Sequence, residues 1–136
     1  MIRQALEKIV DVLLKIGDAK LQGMQLSTPE AQGDYVQGTY FEQLATQHHH
    51  DYLMHHTINT SDLSPIDYRN AMWNFLTAAL KGHKEAQYRI GMAYLNAELG
   101  LDRNYELAHL WLSRAAAQGH VQADNVLKHA YEEIAL

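Results

Sequence analysis

Cysteine is absent from the chain, which excludes a disulfide framework and any thiolate metal site. Proline is scarce, with two in 136 residues, so almost nothing interrupts helices. No run approaches the roughly 20 apolar residues that a bilayer-spanning helix needs, so no membrane span is expected. Arg3, Glu7, Lys8 and Asp11 break up the apolar core that a secretion signal would require. The expected location is therefore cytoplasmic, or periplasmic if a signal has been removed. A net charge of −5, with lysines and arginines dispersed, gives no electrostatic footprint for a nucleic-acid backbone. The chain also lacks Ser-x-x-Lys, Gly-x-Ser-x-Gly, a Walker loop and His-Glu-x-x-His. With no catalytic constellation, the expectation is a non-enzymatic protein.

What the chain does contain is an internal repeat. The string His-x-x-Ala-x-x-x-apolar-x-x-Ala-Tyr occurs at His83, Ala86, Ile90, Ala93 and Tyr94. It returns 37 residues later at His120, Ala123, Leu127, Ala130 and Tyr131. The register extends backwards: Tyr68, Ala71, Ala78-Ala79 and Gly82 fall on Tyr105, Ala108, Ala115-Ala116 and Gly119. Each copy predicts two helices. The first ends at a glycine able to take the left-handed conformation that closes a helix, and apolar or small residues at 71, 75, 78, 79 and at 108, 111, 112, 115, 116 supply a stripe to bury.

These residues resemble the Sel-one-like repeat (SLR) family, a relative of the tetratricopeptide repeat. The resemblance is carried by Gly100 through Ala108, Trp111-Leu112, Arg114-Ala115-Ala116, Gln118-Gly119-His120 and Ala123, with Ala86, Ile90-Gly91 and Tyr94 before them. It covers about residues 67 to 131. The first copy departs from the pattern, with Asn74 at the expected tryptophan and Trp73 displaced by one, while Ala97 stands at a usual glycine. The resemblance implies an all-α fold, a short α-solenoid of antiparallel helix pairs, and a protein–protein interaction module serving as a bacterial adaptor or regulatory scaffold. An immunity-type inhibitor of a secreted toxin fits the same resemblance.

Ahead of the repeats, Ile2, Ala5, Leu6, Ile9, Val10, Leu13 and Ile16 predict an amphipathic helix, the first of an N-terminal helical cap or degenerate repeat. Pro29-Glu30-Ala31-Gln32 and Tyr35 resemble Lys84-Glu85-Ala86-Gln87 and Ile90. Capping boxes are expected at Ser27-Thr28-Pro29-Glu30 and, with aspartate in the glutamate position, at Ser64-Pro65-Ile66-Asp67. The chain thus divides as N-terminal helices over 1–48, a histidine-containing linker or helix end over 49–64, repeat 1 over 65–100, and repeat 2 with a C-terminal helix over 101–136.

Two sets of residues are candidates for function. Trp73, Leu76 and Leu80 make a second apolar stripe where the later copy has Leu110, Ser113 and Ala117. The stripe either receives the N-terminal helices or forms a groove for a partner's helix or extended peptide. Because the first helices of paired-helix solenoids line the concave surface, Asn70, Asn74, Thr77, His109, Ser113 and Arg114 are the polar candidates there. Trp111 and Tyr94 belong to the core. The second set is the cluster His48-His49-His50-Asp51, with His55-His56 beyond it. On a helix, His48, Asp51 and His55 share a face and offer two imidazoles and a carboxylate to zinc or nickel, although the stronger His-x-x-x-His spacing is missing. The alternatives are a histidine-rich polar helix end without cofactor, or a pH-responsive patch. His83 and His120 are expected to serve packing or helix entry, and His109 and His129 to be solvated.

Overall fold

Every described stretch of regular structure is helical. The computed structural model describes Gln4 and residues 28–55 and 61–134, and the helices run α1 (Pro29–Met54), α2 (Ser64–Leu80), α3 (Lys84–Asn96), α4 (Tyr105–Ala117) and α5 (Val121–Ile134). The amphipathic stretch from Ile2 to Ile16 and the side chains of Ile134 and Leu136 lie outside the described residues, Gln4 excepted. Consecutive helices pack on one another, α1 on α2, α2 on α3, α3 on α4 and α4 on α5. The three-residue connectors 81–83 and 118–120 make antiparallel hairpins of α2–α3 and α4–α5, and the sequential packing makes the array a short helical solenoid. No helix in it is long and apolar enough to cross a membrane.

The glycine stops behave as the repeat predicts. At the end of α2, Gly82 takes φ 91°, its N–H donates to Ala79 O (3.0 Å) and the His83 N–H donates to Ala78 O (3.0 Å). At the end of α4, Gly119 takes φ 86° with matching bonds to Ala116 O (2.9 Å) and from His120 to Ala115 O (3.1 Å). Both are Schellman closures, in which a left-handed residue lets two orphan carbonyls be satisfied. The end of α3 shows why the family pattern has glycine at position 97: Ala97 sits at φ 55°, ψ 54°. A left-handed alanine costs roughly 1–2 kcal/mol, against roughly 0.5–1 kcal/mol of extra chain entropy for glycine. Ala97→Gly should therefore raise stability by about 0.5–1 kcal/mol, read as a higher midpoint in urea; an unchanged or lower midpoint would refute the strain.

The starts of the helices differ from the expected boxes. Thr28, not Ser27, caps α1, its Oγ1 accepting from the Ala31 N–H at 3.2 Å. The Ser64 N–H instead donates to Asp62 Oδ1 (2.9 Å), one turn earlier than a Ser64–Asp67 box, and Ser64 holds Asp62 below the ordinary carboxylate value. Asp67 is turned towards α1, where it meets His48.

Two equivalent joints hold the array together. Each histidine after a glycine stop caps the next helix: His83 Nδ1 accepts from the Ala86 N–H (3.2 Å) and His120 Nδ1 from the Ala123 N–H (3.1 Å). A backbone N–H only donates, so Nδ1 is bare and Nε2 carries the proton. That Nε2 reaches back one helix, His83 to Gln32 Oε1 (2.6 Å) and His120 to Glu85 Oε2 (2.9 Å). The rings stack on Tyr35 (centroids 4.5 Å apart) and Tyr88 (4.4 Å). Beside them Lys81 pairs with Asp34 (2.7 Å) where Gln118 meets Gln87 (2.8 Å). Further along, Gly38 lies against the Phe75 ring as Gly91 lies against Leu112.

Gln32, Asp34, Tyr35 and Gly38 thus do on α1 what Glu85, Gln87, Tyr88 and Gly91 do on α3. The body of α1 therefore corresponds to α3 two residues out of step with the expected pairing of Tyr35 with Ile90. The expected pairing holds at the helix start, where Thr28 and His83 are the caps and Ala31 and Ala86 are fully buried. Arg89 adds a bidentate ion pair to Glu42 of α1 and another to Glu98 (3.1 Å).

Candidate functional site

The core takes one face of α2 and leaves the other outside. Met72, Phe75 and Leu76 are at most 5% exposed, whereas Trp73, between them in sequence, is 43% exposed. Turning outward with Trp73 are Ile66 and Arg69, with the half-buried Asn70 and Thr77 flanking them at helical spacing. This ridge is internally braced: Thr77 Oγ1 donates to Trp73 O (2.7 Å) and Asn74 Nδ2 to Asn70 O (2.8 Å). On α4 the corresponding region presents Tyr105, Glu106 and His109, with Ser113 and Arg114 half-buried. The Arg114 guanidinium lies 5.5 Å from the centroid of the Trp111 ring, a cation–π distance.

The expected stripe of Trp73, Leu76 and Leu80 does not form as one surface. Leu76 is 3% exposed inside the core and the half-buried Leu80 packs against that core. Spacing at i, i+3 and i+7 covers a wide arc, and here the core takes the Leu76 side of it. Comparison of the copies gives the reason they differ. Met72 and Leu76 are buried on α2, while their counterparts on α4, His109 and Ser113, are exposed and half-buried. The substitution is from apolar to polar on the last described first helix, where less of the surface is covered. The difference between the copies is visible in the sequence, and in the structure it coincides with a difference in coverage. Ile66 and Arg69 escape a sequence reading, because their exposure follows from the side of α2 that the core takes.

The histidine cluster is part of a helix, since α1 runs unbroken to Met54 and His55 is its C-cap. Its members turn to different partners. His48 Nδ1 lies 2.5 Å from Asp67 Oδ2 and His49 Nδ1 3.1 Å from Asp62 Oδ2, so both rings tie the second half of α1 to the start of α2. Asp51 accepts from Gln47 Nε2 at 2.9 Å, within its own helix. His48, Asp51 and His55 are therefore not brought together as a ligand set, and among the described residues no three histidines or carboxylates are grouped to hold a metal ion. The i, i+3, i+7 face exists, but the nearest carboxylate for His48 comes from α2. His56 lies outside the described residues.

Comparison with known proteins agrees with this geometry. The Sel1 repeat matches at residues 61–83 and 84–120, so its two segments meet at the His83–Lys84 joint and end at His120. The chain is also similar to a chitin synthase regulatory factor 4 of Schizosaccharomyces pombe, 28% identical over 123 residues, covering 88% of this chain and 19% of that protein. The chain thus spans about a fifth of the length of that curated relative. No solved structure matches.

Proposed function

We propose, from the premise that this chain carries two Sel1 repeats, that it is a non-enzymatic adaptor that binds another protein through the outward ridge of α2 and α4. Sel1 repeats generally mediate protein–protein interaction, and the relative that covers most of this chain is a regulatory factor. The observation that carries the reading is the exposure of Trp73 amid a well-filled core. A tryptophan left in water between Arg69, Asn70 and Thr77 has a large apolar face and an N–H donor to offer. Such residues dominate interface energetics. The ridge, with His109, Ser113 and Arg114 on α4, suits a partner's helix or extended peptide laid across the two first helices. Leu76 belongs to the support of that surface rather than to the contact.

The test is a comparison of binding with stability in one variant. Trp73→Ala should leave the unfolding midpoint nearly unchanged. Loss of a tryptophan anchor of about 2 kcal/mol weakens a complex roughly 30-fold. Quantitative capture from the native cells should therefore lose a stoichiometric partner with Trp73→Ala and keep it with Val121→Ala, which truncates an exposed residue on α5. Equal capture by both variants would refute the assignment of the ridge.

A further inference from the structure

We infer that the joint between α1 and the α2–α3 turn is an acid-sensitive hinge, opening when His83 gains a proton while the parallel joint at His120 stays closed. The two joints share one geometry at the histidine and differ there in the group that Nε2 meets. His83 Nε2 faces the neutral amide of Gln32, whereas His120 Nε2 faces the carboxylate of Glu85. In both, Nδ1 is occupied as an acceptor of the helix-capping N–H. A proton on Nδ1 therefore breaks the cap and sets two donors against each other.

At His120 the lost cap is offset, because the imidazolium gains a charge-assisted bond to Glu85. At His83 nothing on α1 offers that exchange. Gln32 and Tyr35 are neutral, Asp34 is held by Lys81 at 2.7 Å, and Glu30 lies 3.7 Å from the same ammonium. His83 is 6% exposed, and its burial, the largest influence, holds it below the ordinary histidine value of 6.5. On α3, Glu85 favours the imidazolium and Lys84 opposes it, and together they do not reverse the effect of burial. The folded state thus binds fewer protons than the unfolded chain. Stability from this joint is complete above about pH 6.5 and is lost as pH falls towards the lowered folded value.

Hydrogen exchange on the full chain at pH 7.5 and 5.5, corrected for intrinsic rates, tests the difference. Protection of the Ala86 amide should fall, by up to roughly tenfold, the limit for an imidazole of ordinary pKa about 6.5 that binds its proton only when the joint is open. Protection of the Ala123 amide should fall by clearly less, because the bond to Glu85 holds the joint around it closed. Gln32→Glu, at an exposed helix position, should abolish the drop at Ala86. Glu85→Gln should transfer a similar drop to Ala123. Equal losses at the two amides in the native chain, or a drop at Ala86 unaltered by Gln32→Glu, would overturn the hinge.

Discussion

Trp111→Ala is expected to lower the stability of the chain by about 3–5 kcal/mol, the range for emptying a buried tryptophan site. Against a total stability of about 5–15 kcal/mol for a domain, a marginal variant would be substantially unfolded at ambient temperature. Trp111 is fully buried and is among the largest fully buried side chains of the described residues. It lies in the cluster that joins α2, α3 and α4 through Phe75, Ile90 and Tyr94. The first copy has no replacement for it, since the equivalent Asn74 is half-buried and spends its amide on Asn70 O. Hence one repeat's aromatic anchor serves the array, and its cavity cannot be filled from the other.

The indole Nε1–H is shielded from solvent with no acceptor among the described residues. An unsatisfied buried donor costs about 1–3 kcal/mol. Trp111→Phe removes that donor with part of the apolar area, so its loss should be much the smaller of the two. Urea unfolding of both variants is the measurement. A midpoint for Trp111→Ala within error of the native value would show that the helix register is wrong.

The repeat register was legible from sequence because it is written in positions with narrow physical tolerance. Gly82 and Gly119 take positive φ at helix closures, and Ala71, Ala78, Ala108 and Ala115 sit at 0% exposure. The correspondence of α1 with α3 was legible only at the helix start. Matching letters favoured Glu30-Ala31-Gln32, but the joint selects residues by what touches the incoming histidine. A usable signal was present: Tyr-x-x-Gly recurs at Tyr35–Gly38 and Tyr88–Gly91.

The candidate sites were harder for a related reason. A helix stripe states which residues share an arc, not which neighbour arrives to cover it. Leu76 went to the core and Trp73 to solvent although they lie one turn apart, and His48 met an aspartate 19 positions away rather than its own helix neighbour. Pairings of that range depend on how α1 and α2 are set against each other, which no local spacing encodes.

The closeness of that setting yields the second large effect, at Gly91. A Cβ placed there would stand 2.7 Å from Leu112 Cγ, 3.0 Å from its Cδ2 and 3.2 Å from its backbone N, so α3 and α4 must separate or Leu112 must leave its site. Leu112 is itself fully buried against Ala115 and Ala123. It has little room to turn. Gly91→Val adds three carbons to this contact and should cost about 1–3 kcal/mol or more from overpacking, well beyond the few tenths of a kcal/mol that valine gains over glycine in helix propensity.

On α5 the chain carries no glycine at the equivalent position. The position 37 residues after Gly91 is Lys128, paired with Asp124 at 2.8 Å, and the one after Tyr88 is Asn125. The α5 face therefore lacks both the stacking ring and the gap that α1 and α3 use to seat the next first helix. A double-mutant cycle separates contact from propensity. If the clash with Leu112 is the cause, Gly91→Val and Leu112→Ala together should destabilise by clearly less than the sum of the two alone, because the shortened side chain makes space for the valine. Strict additivity would place the cost elsewhere and remove glycine's close approach as the device that sets the spacing between α3 and α4.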